Sequence, residues 1–210
     1  MKFNAAIFDL DGTLVDTIPL WMQAYRQTFA DFGAEVSEED FIARIYVHSL
    51  PLMEALQLEH LPADIEPAFR KKRDERYVSL LQLKARWLPK AQDVLTALRE
   101  RLPTAVATGS HRIYTDALDR GLRLYSYADT ITCDDVKRDK PAPDMLLLAA
   151  ERLAVAPQQC LYVGDQLFDV EAAKAAGMAC WIIPNTSTPD RAIQEADAVL
   201  QHLSDVLHML

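Results

Sequence analysis

The sequence predicts an α/β fold in which a Rossmann-like, doubly wound parallel sheet carries an inserted all-helical segment. Short apolar runs alternate with helical patterns through the later part of the chain, which is typical of a parallel sheet covered by helices on both faces. About 80 residues without a convincing strand follow the first apolar run. Polar residues, many of them acidic, stand directly after several of the apolar runs.

The apolar runs and helical patterns give the predicted elements in order. Strands are predicted at 3–8, 105–108, 130–133, 161–163 and 180–183, with a less marked sixth at 198–200. The helical patterns between the later strands are 90–102, 112–120, 145–153 and 170–176. This alternation predicts that consecutive strands run parallel.

The long segment after the first strand is predicted to be a helical cap. Helical patterns cover 17–32, 51–58 and 63–83, and Ser37 with Asp40 resembles a capping box that opens another helix. We therefore predict a core at 1–16 and 85–210, a cap at 17–84, and hinges at 15–17 and 84–89.

Glycine is scarce, with six among 210 residues. Gly33, Gly121 and Gly177 each follow a helical pattern and are predicted to end helices. The other three, Gly12, Gly109 and Gly164, follow apolar runs. Backbone approaches a ligand at such strand ends in open α/β sheets.

Composition excludes several classes of function. The net charge of −9 and the pI near 5.0 disfavour nonspecific binding of nucleic acid, which needs basic patches. No apolar run approaches the ~18 residues of a membrane span. The three cysteines form no CxxC pair, so we expect neither a disulfide scaffold nor a structural zinc site, and a cytoplasmic location is the default. The oligomeric state is a separate question, for which a monomer is the default.

Two aspartates one residue apart close the first strand. Asp9 and Asp11 precede Gly12, and both can reach one pocket just beyond the strand end. One carboxylate of such a pair can act as a nucleophile while the other exchanges a proton. The alternative is an ordinary Asp-Gly turn.

Three further motifs follow likely strands. Thr108-Gly109-Ser110 can cradle an anion or simply cap a helix. Lys140, fixed before a proline, can offset negative charge or lie on a solvated loop. Asp165 and Asp169 suit Mg²⁺ or favour a helix N-terminus. In a doubly wound sheet all these positions gather at one edge, which favours a common chemical function.

The order DxDGT, TGS, KPAPD and GDxxxD resembles the haloacid dehalogenase-like superfamily, in its phosphatase and phosphomutase branch. The stretch GDQLFDVEAAKAAGM at 164–178 is especially similar. The resemblance covers both ends of the chain, and the helical insertion lies where that branch carries a small cap. It implies Mg²⁺-dependent hydrolysis of a small phosphorylated substrate through an aspartyl phosphate.

The resemblance also implies a role for each motif residue. Asp9 would be the nucleophile, Asp11 the general acid and base, and Lys140 would neutralise charge around Asp9. Mg²⁺ would be held by Asp9, Asp165 and the backbone carbonyl of Asp11. Asp169 would help through a water or by holding Lys140. The phosphoryl oxygens would be bound by the Thr108 side chain and by the N–H groups of Gly109 and Gly12.

Two alternatives stay open on the sequence. A sugar phosphomutase of the β-phosphoglucomutase type would carry a histidine shortly after the first motif, where this chain reads Ile-Pro-Leu-Trp at 18–21. It would also carry a cap loop containing Gly and Arg, where the loop of this chain at 44–49 reads Arg-Ile-Tyr-Val-His-Ser and includes His48. Both departures weaken the mutase alternative. A non-catalytic module that binds a phosphometabolite is the other. Dehalogenases of this fold resemble the chain less, because they lack the second aspartate.

Some residues near these motifs receive a structural interpretation. Trp21 and Trp87 flank the hinges and are predicted to pack rather than contact substrate. The mixed charges at 70–76 are predicted to form a solvated helix face. His111 is a candidate for a group that faces the substrate.

Overall fold

The computed structural model of the protein describes residues 3–46 and 50–209. Six parallel strands form one sheet in the order β3-β2-β1-β4-β5-β6. The strands are β1 (Ala5–Phe8), β2 (Thr104–Thr108), β3 (Asp129–Thr132), β4 (Cys160–Gly164), β5 (Ala179–Ile182) and β6 (Ala198–Val199). The predicted fold class and all six strands are therefore confirmed, with bounds shifted by one or two residues.

Ten α-helices lie in the described residues. They are α1 (Ile18–Asp31), α2 (Glu38–Asp40), α3 (Leu52–Leu58), α4 (Glu66–Lys84), α5 (Ala91–Arg99), α6 (Arg112–Leu122), α7 (Asp144–Arg152), α8 (Leu167–Ala176), α9 (Asp190–Glu195) and α10 (Val206–Met209). A π-helical segment, Phe41–Tyr46, follows α2. None of the helices in the described ranges combines the length and hydropathy that crossing a bilayer requires.

The sheet is buried on both faces because successive side chains of each strand point to opposite sides. Ala6 and Phe8 of β1 pack into one apolar cluster, which includes residues of α5 and α6. Ala5 and Ile7 pack into a second cluster, which includes residues of α7 and α8. This burial on both faces explains why the strands are continuously apolar in sequence.

The helical insertion, by which we mean α1 to α4, has an apolar cluster of its own. Its members include Phe29, Phe41, Leu56 and Phe69, all fully buried. The predicted helix N-cap at Ser37 is confirmed, because the Ser37 Oγ accepts a hydrogen bond from the backbone N–H of Asp40 at 3.0 Å. Helix α4 packs against α1 and, across to the core, against α6.

Three glycines are predicted to end helices, and the prediction is confirmed for two of them and wrong for the third. Gly33 and Gly177 follow α1 and α8 with φ of +82° and +74°, a conformation that favours glycine. Gly121 lies inside α6 instead. A Cβ built there would lie 3.3 Å from the carbonyl oxygen of Gln82, so this glycine lets α6 approach the end of α4.

The strand order reverses direction between β1 and β4, which are neighbours in the sheet. Phe8 is in register with Val163, so the residues that follow the two strands emerge side by side. Such a switch point opens a crevice at the carboxyl edge of a doubly wound sheet. Asp9 and Asp165 both lie at this crevice.

Candidate active site

Asp9 stands directly beyond β1 and is held by the neighbouring strand. Its backbone N–H donates to the carbonyl of Val163 at 2.8 Å, which continues the β1–β4 pairing by one residue. Asp9 is 4% exposed, and its Oδ1 accepts from Lys140 Nζ at 2.7 Å. Asp9 therefore presents a carboxylate that is paired with a cation and shielded from bulk water.

Asp11 is surrounded by three hydroxyl groups. Its Oδ1 accepts from Thr17 at 2.6 Å, and its Oδ2 accepts from Thr108 at 3.0 Å and Ser110 at 2.8 Å. Gly12 follows with φ of +80° and turns the chain sharply, so that Asp11 faces the end of β2. Three donors on two oxygens fix the orientation of this second carboxyl group.

Lys140 joins three groups beneath the site. Besides Asp9, its Nζ donates to Asp169 Oδ1 at 2.8 Å and to the hydroxyl of Tyr162 at 3.0 Å. The side chain is 2% exposed, which is sustainable because a buried ammonium is paired on all sides. This burial excludes the alternative in which Lys140 lies on a solvated loop.

Asp165 and Asp169 are both fully buried but have different partners. Asp165 accepts from the hydroxyl of Thr13 at 2.9 Å and from the side-chain amides of Gln166 at 2.7 Å and Asn185 at 2.8 Å. Asp169 Oδ2 accepts the backbone N–H groups of residues 165 and 166 at 3.1 and 2.9 Å, while its Oδ1 accepts from Lys140. Of the two predicted roles of Asp169, this geometry favours the one that holds Lys140.

The acidic cluster fits a divalent cation. One carboxyl oxygen from each of Asp9, Asp165 and Asp169 lies within 4.8 Å of the others, and Lys140 is the cation that contacts two of these three acids. Burial, followed by Asp169, raises the pKa of Asp165 to about 7. Burial also raises the pKa of Asp9 well above its ordinary value, against the lowering effect of Lys140. Mg²⁺ prefers hard oxygen ligands, and carboxyl groups supply them.

Of the three predicted phosphoryl-binding residues, two line the cavity and the third has its backbone N–H bonded within the chain. Thr108 and Gly109 line the cavity above the acids, although the Thr108 hydroxyl donates to Asp11. The backbone N–H of Gly12 donates to the carbonyl of Val15 at 3.0 Å, so this structure does not present it to a phosphoryl oxygen. That N–H is engaged in the tight turn after Asp11, and this argues against Gly12 as a phosphoryl-binding residue.

Gly164 also has a role other than ligand approach. A Cβ built there would lie 2.5 Å from Asp169 Oδ2. The glycine therefore makes room for the carboxylate that holds Lys140.

Asp9 and Asp11 line a cavity of about 520 Å³ between the core and the helical insertion. Trp21, Tyr25 and Arg73 of the insertion line it together with His111 and Tyr114 of the core. The predicted solvated face at 70–76 is thus wrong at Arg73, which is 5% exposed. The packing role predicted for Trp21 is incomplete, because its ring also borders the cavity.

Several site residues were not predicted from the sequence. They are Thr13, Thr17, Tyr162, Gln166 and Asn185. Asn185 had a usable signal, since it follows β5 at the same sheet edge as the acids. The cap loop that bears on the phosphomutase alternative is described only in part. Arg44 pairs with Asp40 at 3.2 Å, and His48 lies outside the described residues.

Comparison with known proteins supplies an independent test. A family model described as haloacid dehalogenase-like hydrolase matches residues 3–177. The chain is 36% identical over 181 residues to fructose-1-phosphate phosphatase YqaB of Escherichia coli, covering 84% of this chain and 94% of that one. It is 32% identical over 228 residues to a phosphoglycolate phosphatase of Shigella boydii, covering 97% and 90%. Among solved structures, a CbbY mutant from Rhodobacter sphaeroides in complex with xylulose-(1,5)bisphosphate aligns with a TM-score of 0.81 at 27% identity, covering 97% and 96%.

Proposed function

Since the chain belongs to the haloacid dehalogenase-like hydrolase family and its named relatives are phosphatases, we propose that it is a Mg²⁺-dependent phosphatase that forms an aspartyl phosphate. Its substrate is a small phosphorylated metabolite. The two named relatives are a fructose-1-phosphate phosphatase and a phosphoglycolate phosphatase, and the cavity beside Asp9 and Asp11 has a volume of about 520 Å³. The free cysteines favour a reducing compartment, and we propose the cytoplasm.

Asp9 is the nucleophile in this proposal. One oxygen of its carboxylate is held by Lys140 at 2.7 Å, and the other is left to attack the phosphorus atom. The bond from phosphorus to the leaving oxygen breaks as the Asp9 oxygen bonds to phosphorus. Positioning and charge stabilisation dominate such transfers, and the buried Lys140 provides both at the attacking group.

Asp11 is the general acid and base. The Thr17, Thr108 and Ser110 hydroxyls orient its carboxyl group beside the phosphoryl position. Asp11 first gives a proton to the leaving oxygen and then takes one from the water that hydrolyses the aspartyl phosphate. To do so it must exchange at least one hydroxyl contact for the substrate or the water.

Mg²⁺ would be held by Asp9, Asp165 and the carbonyl of Asp11. When bound, the ion supplies positive charge that stabilises the phosphoryl oxygens. The chain prepares that position with Thr13, Gln166 and Asn185, which donate to Asp165 and fix its orientation. Asp169 is a positioning residue for Lys140.

The observation that carries the proposal is the buried cluster of Asp9, Asp165 and Asp169 around Lys140. Its test is turnover of p-nitrophenyl phosphate with Mg²⁺ by Asp9→Asn, with Asp16→Asn as a matched control because Asp16 is exposed on the same segment. We expect Asp9→Asn to lose at least ~10⁴-fold in kcat while its circular dichroism is unchanged, and Asp16→Asn to keep full activity. A fully active Asp9→Asn protein would refute the mechanism.

Phosphate release separates hydrolysis from the two alternatives. A phosphomutase would convert one sugar phosphate into its isomer with little free phosphate, and a binding module would turn over nothing. The segment 18–21, where the mutase resemblance implies a histidine, contains none, and its Trp21 packs on Tyr25 and Tyr77 with ring centroids 4.9 and 4.5 Å away. We expect one phosphate released for each sugar phosphate consumed.

A further inference from the structure

Four aromatic rings form one wall of the cavity. Trp21 and Tyr25 of α1 meet Tyr77 of α4 and Tyr114 of α6, with ring centroids 4.5 to 5.9 Å apart along the series. All four line the cavity. We call these four side chains the aromatic wall. Trp21 is the least buried of the four and the tyrosines are only 4–5% exposed, so the aromatic wall presents a small apolar surface edged by hydroxyl groups.

Arg73 lies against the aromatic wall with its charge cancelled. Its guanidinium stacks 4.7 Å from the ring of Trp21 and 5.0 Å from that of Tyr25. Its Nε and Nη2 both donate to Asp74 Oδ1, at 2.8 and 2.6 Å, and its Nη1 donates to the Tyr25 hydroxyl at 2.7 Å. With 6% of the side chain exposed, this cation is paired before any substrate arrives.

Asp74 is itself fixed from the core. The Tyr114 hydroxyl donates to the same Oδ1 at 2.8 Å, so one oxygen of Asp74 links α4 to α6 and holds the guanidinium edge. A carboxylate held from two sides cannot readily leave Arg73 to admit another anion.

The other basic side chains in this part of the cavity also have acidic partners. Arg70 donates to Glu66 at 2.8 Å, and His111 lies 2.8 Å from Asp134. Away from Lys140, every basic side chain among the described lining residues thus has a carboxylate partner. Asp139 adds a further carboxylate to the lining. A second anionic group on a substrate would meet no uncompensated positive charge here and would face like charge, which is unfavourable.

Building on the proposed phosphatase function, we infer that the leaving group is a neutral polyhydroxylated moiety, such as a sugar, and that Asp74 enforces this selectivity. Sugar carbons would lie against the aromatic wall, and sugar hydroxyls would reach the tyrosine hydroxyls. Asp74 acts through Arg73 and is a positioning residue. Phosphate esters with a carboxylate or a second phosphate are poor substrates for as long as Asp74 neutralises Arg73.

The first test compares kcat/KM of the unaltered protein across matched esters with Mg²⁺. We expect fructose 1-phosphate and glucose 6-phosphate to exceed phosphoglycolate and fructose 1,6-bisphosphate by about tenfold or more. A preference for either doubly anionic ester would overturn the inference. This comparison needs no variant to fold.

The second test is Asp74→Asn, which removes the partner charge but keeps the size of the side chain. We expect the ratio of kcat/KM for phosphoglycolate over fructose 1-phosphate to rise about tenfold, mainly through KM, because the guanidinium can then pair with the carboxylate. Glu75→Gln is the matched control, since Glu75 is exposed on the same helix. The double variant Arg73→Met with Asp74→Asn should lose the gain. A general loss of stability lowers kcat/KM for all substrates together and does not change this ratio.

An unchanged ratio in folded Asp74→Asn would overturn the assignment of Asp74. A protein that turns over neither p-nitrophenyl phosphate nor any ester would overturn the phosphatase function itself. Activity on p-nitrophenyl phosphate together with a preference for phosphoglycolate would leave the phosphatase function intact and refute the neutral leaving group alone.

Discussion

Replacing Gly164 by alanine is expected to lower activity by displacing Asp169, a residue that supports Lys140 and would not itself contact the substrate. The Cβ would lie 2.5 Å from Oδ2, 2.6 Å from Cγ and 2.8 Å from Cβ of Asp169. Carbon atoms in ordinary contact are ~3.5–4.0 Å apart. The Asp169 side chain must therefore move by about 1 Å, and the buried strand β4 leaves little room to share that movement.

The displacement has two consequences. Asp169 Oδ2 would weaken its bonds to the N–H groups of residues 165 and 166, and a hydrogen bond to a charged group contributes ~1.5–3 kcal/mol. Allowing for partial relaxation, we expect a loss of about 3 kcal/mol in the free energy of unfolding, or ~6–12 °C in Tm for a chain of this size. Lys140 would shift with Asp169, and a misplacement of ~1 Å lowers kcat/KM about 100-fold.

Gly33→Ala is the control for stability without the site. Gly33 has φ of +82° and nothing within 4 Å of a built Cβ, so alanine there costs about 1–2 kcal/mol from backbone strain and leaves turnover unchanged. Thermal unfolding and p-nitrophenyl phosphate hydrolysis measure both variants. A Gly164→Ala protein with wild-type Tm and kcat/KM within threefold of wild type would show that Asp169 does not depend on this glycine.

Three further results are expected. Tyr162→Phe removes the hydroxyl 3.0 Å from Lys140 Nζ and should lower kcat about tenfold with little change in KM; equal activity would mean that Asp9 and Asp169 suffice to hold the lysine. Asn185→Ala removes a donor to Asp165 at 2.8 Å and should weaken activation by Mg²⁺ about tenfold, as measured by Mg²⁺ titration of the rate, unless the remaining donors keep Asp165 in place. Burial raises the pKa of Cys160 to about 11, so only ~10⁻³ of this thiol is ionised at pH 8; Ellman's reagent should modify it slowly in the native protein and quickly in guanidinium, and fast native reaction would contradict its burial.

The arrangement of the acids could be predicted from the sequence because it follows from topology. Parallel strands share one carboxyl edge, so Asp9 after β1, Thr108 at the end of β2 and Asp165 after β4 had to meet there. The partners of each side chain could not be predicted in this way. The hydroxyls on Asp11 come from 6, 97 and 99 residues along the chain, and any of several Ser and Thr residues near the strand ends would have satisfied the same pattern.

Arg73 shows a prediction that failed although the signal was present. The mixed charges at 70–76 suggested a solvated face, but the buried residues of α4 are Phe69, Arg73, Tyr77 and Leu81. They recur every four residues, which is the spacing of one helix face. Periodicity therefore placed Arg73 on the buried face. The mixed charge nevertheless favoured a solvated face, because an arginine is buried only when it has partners, and the sequence does not show which residues those are.

The two parts of the cavity differ in how their charge is balanced, and this difference connects the chemistry to the choice of substrate. Around Asp9 three buried carboxyl groups surround one lysine, and the proposed mechanism places Mg²⁺ beside them. Along the aromatic wall, Arg73 and Asp74 cancel one another within the chain. A substrate with one phosphoryl group and a neutral remainder matches both parts, because its phosphoryl oxygens would be bound by the cations of the first part and its hydroxyls would leave the second undisturbed. A second anion would have to displace Asp74 from both Arg73 and Tyr114, so the same oxygen that links α4 to α6 would also decide which esters are hydrolysed.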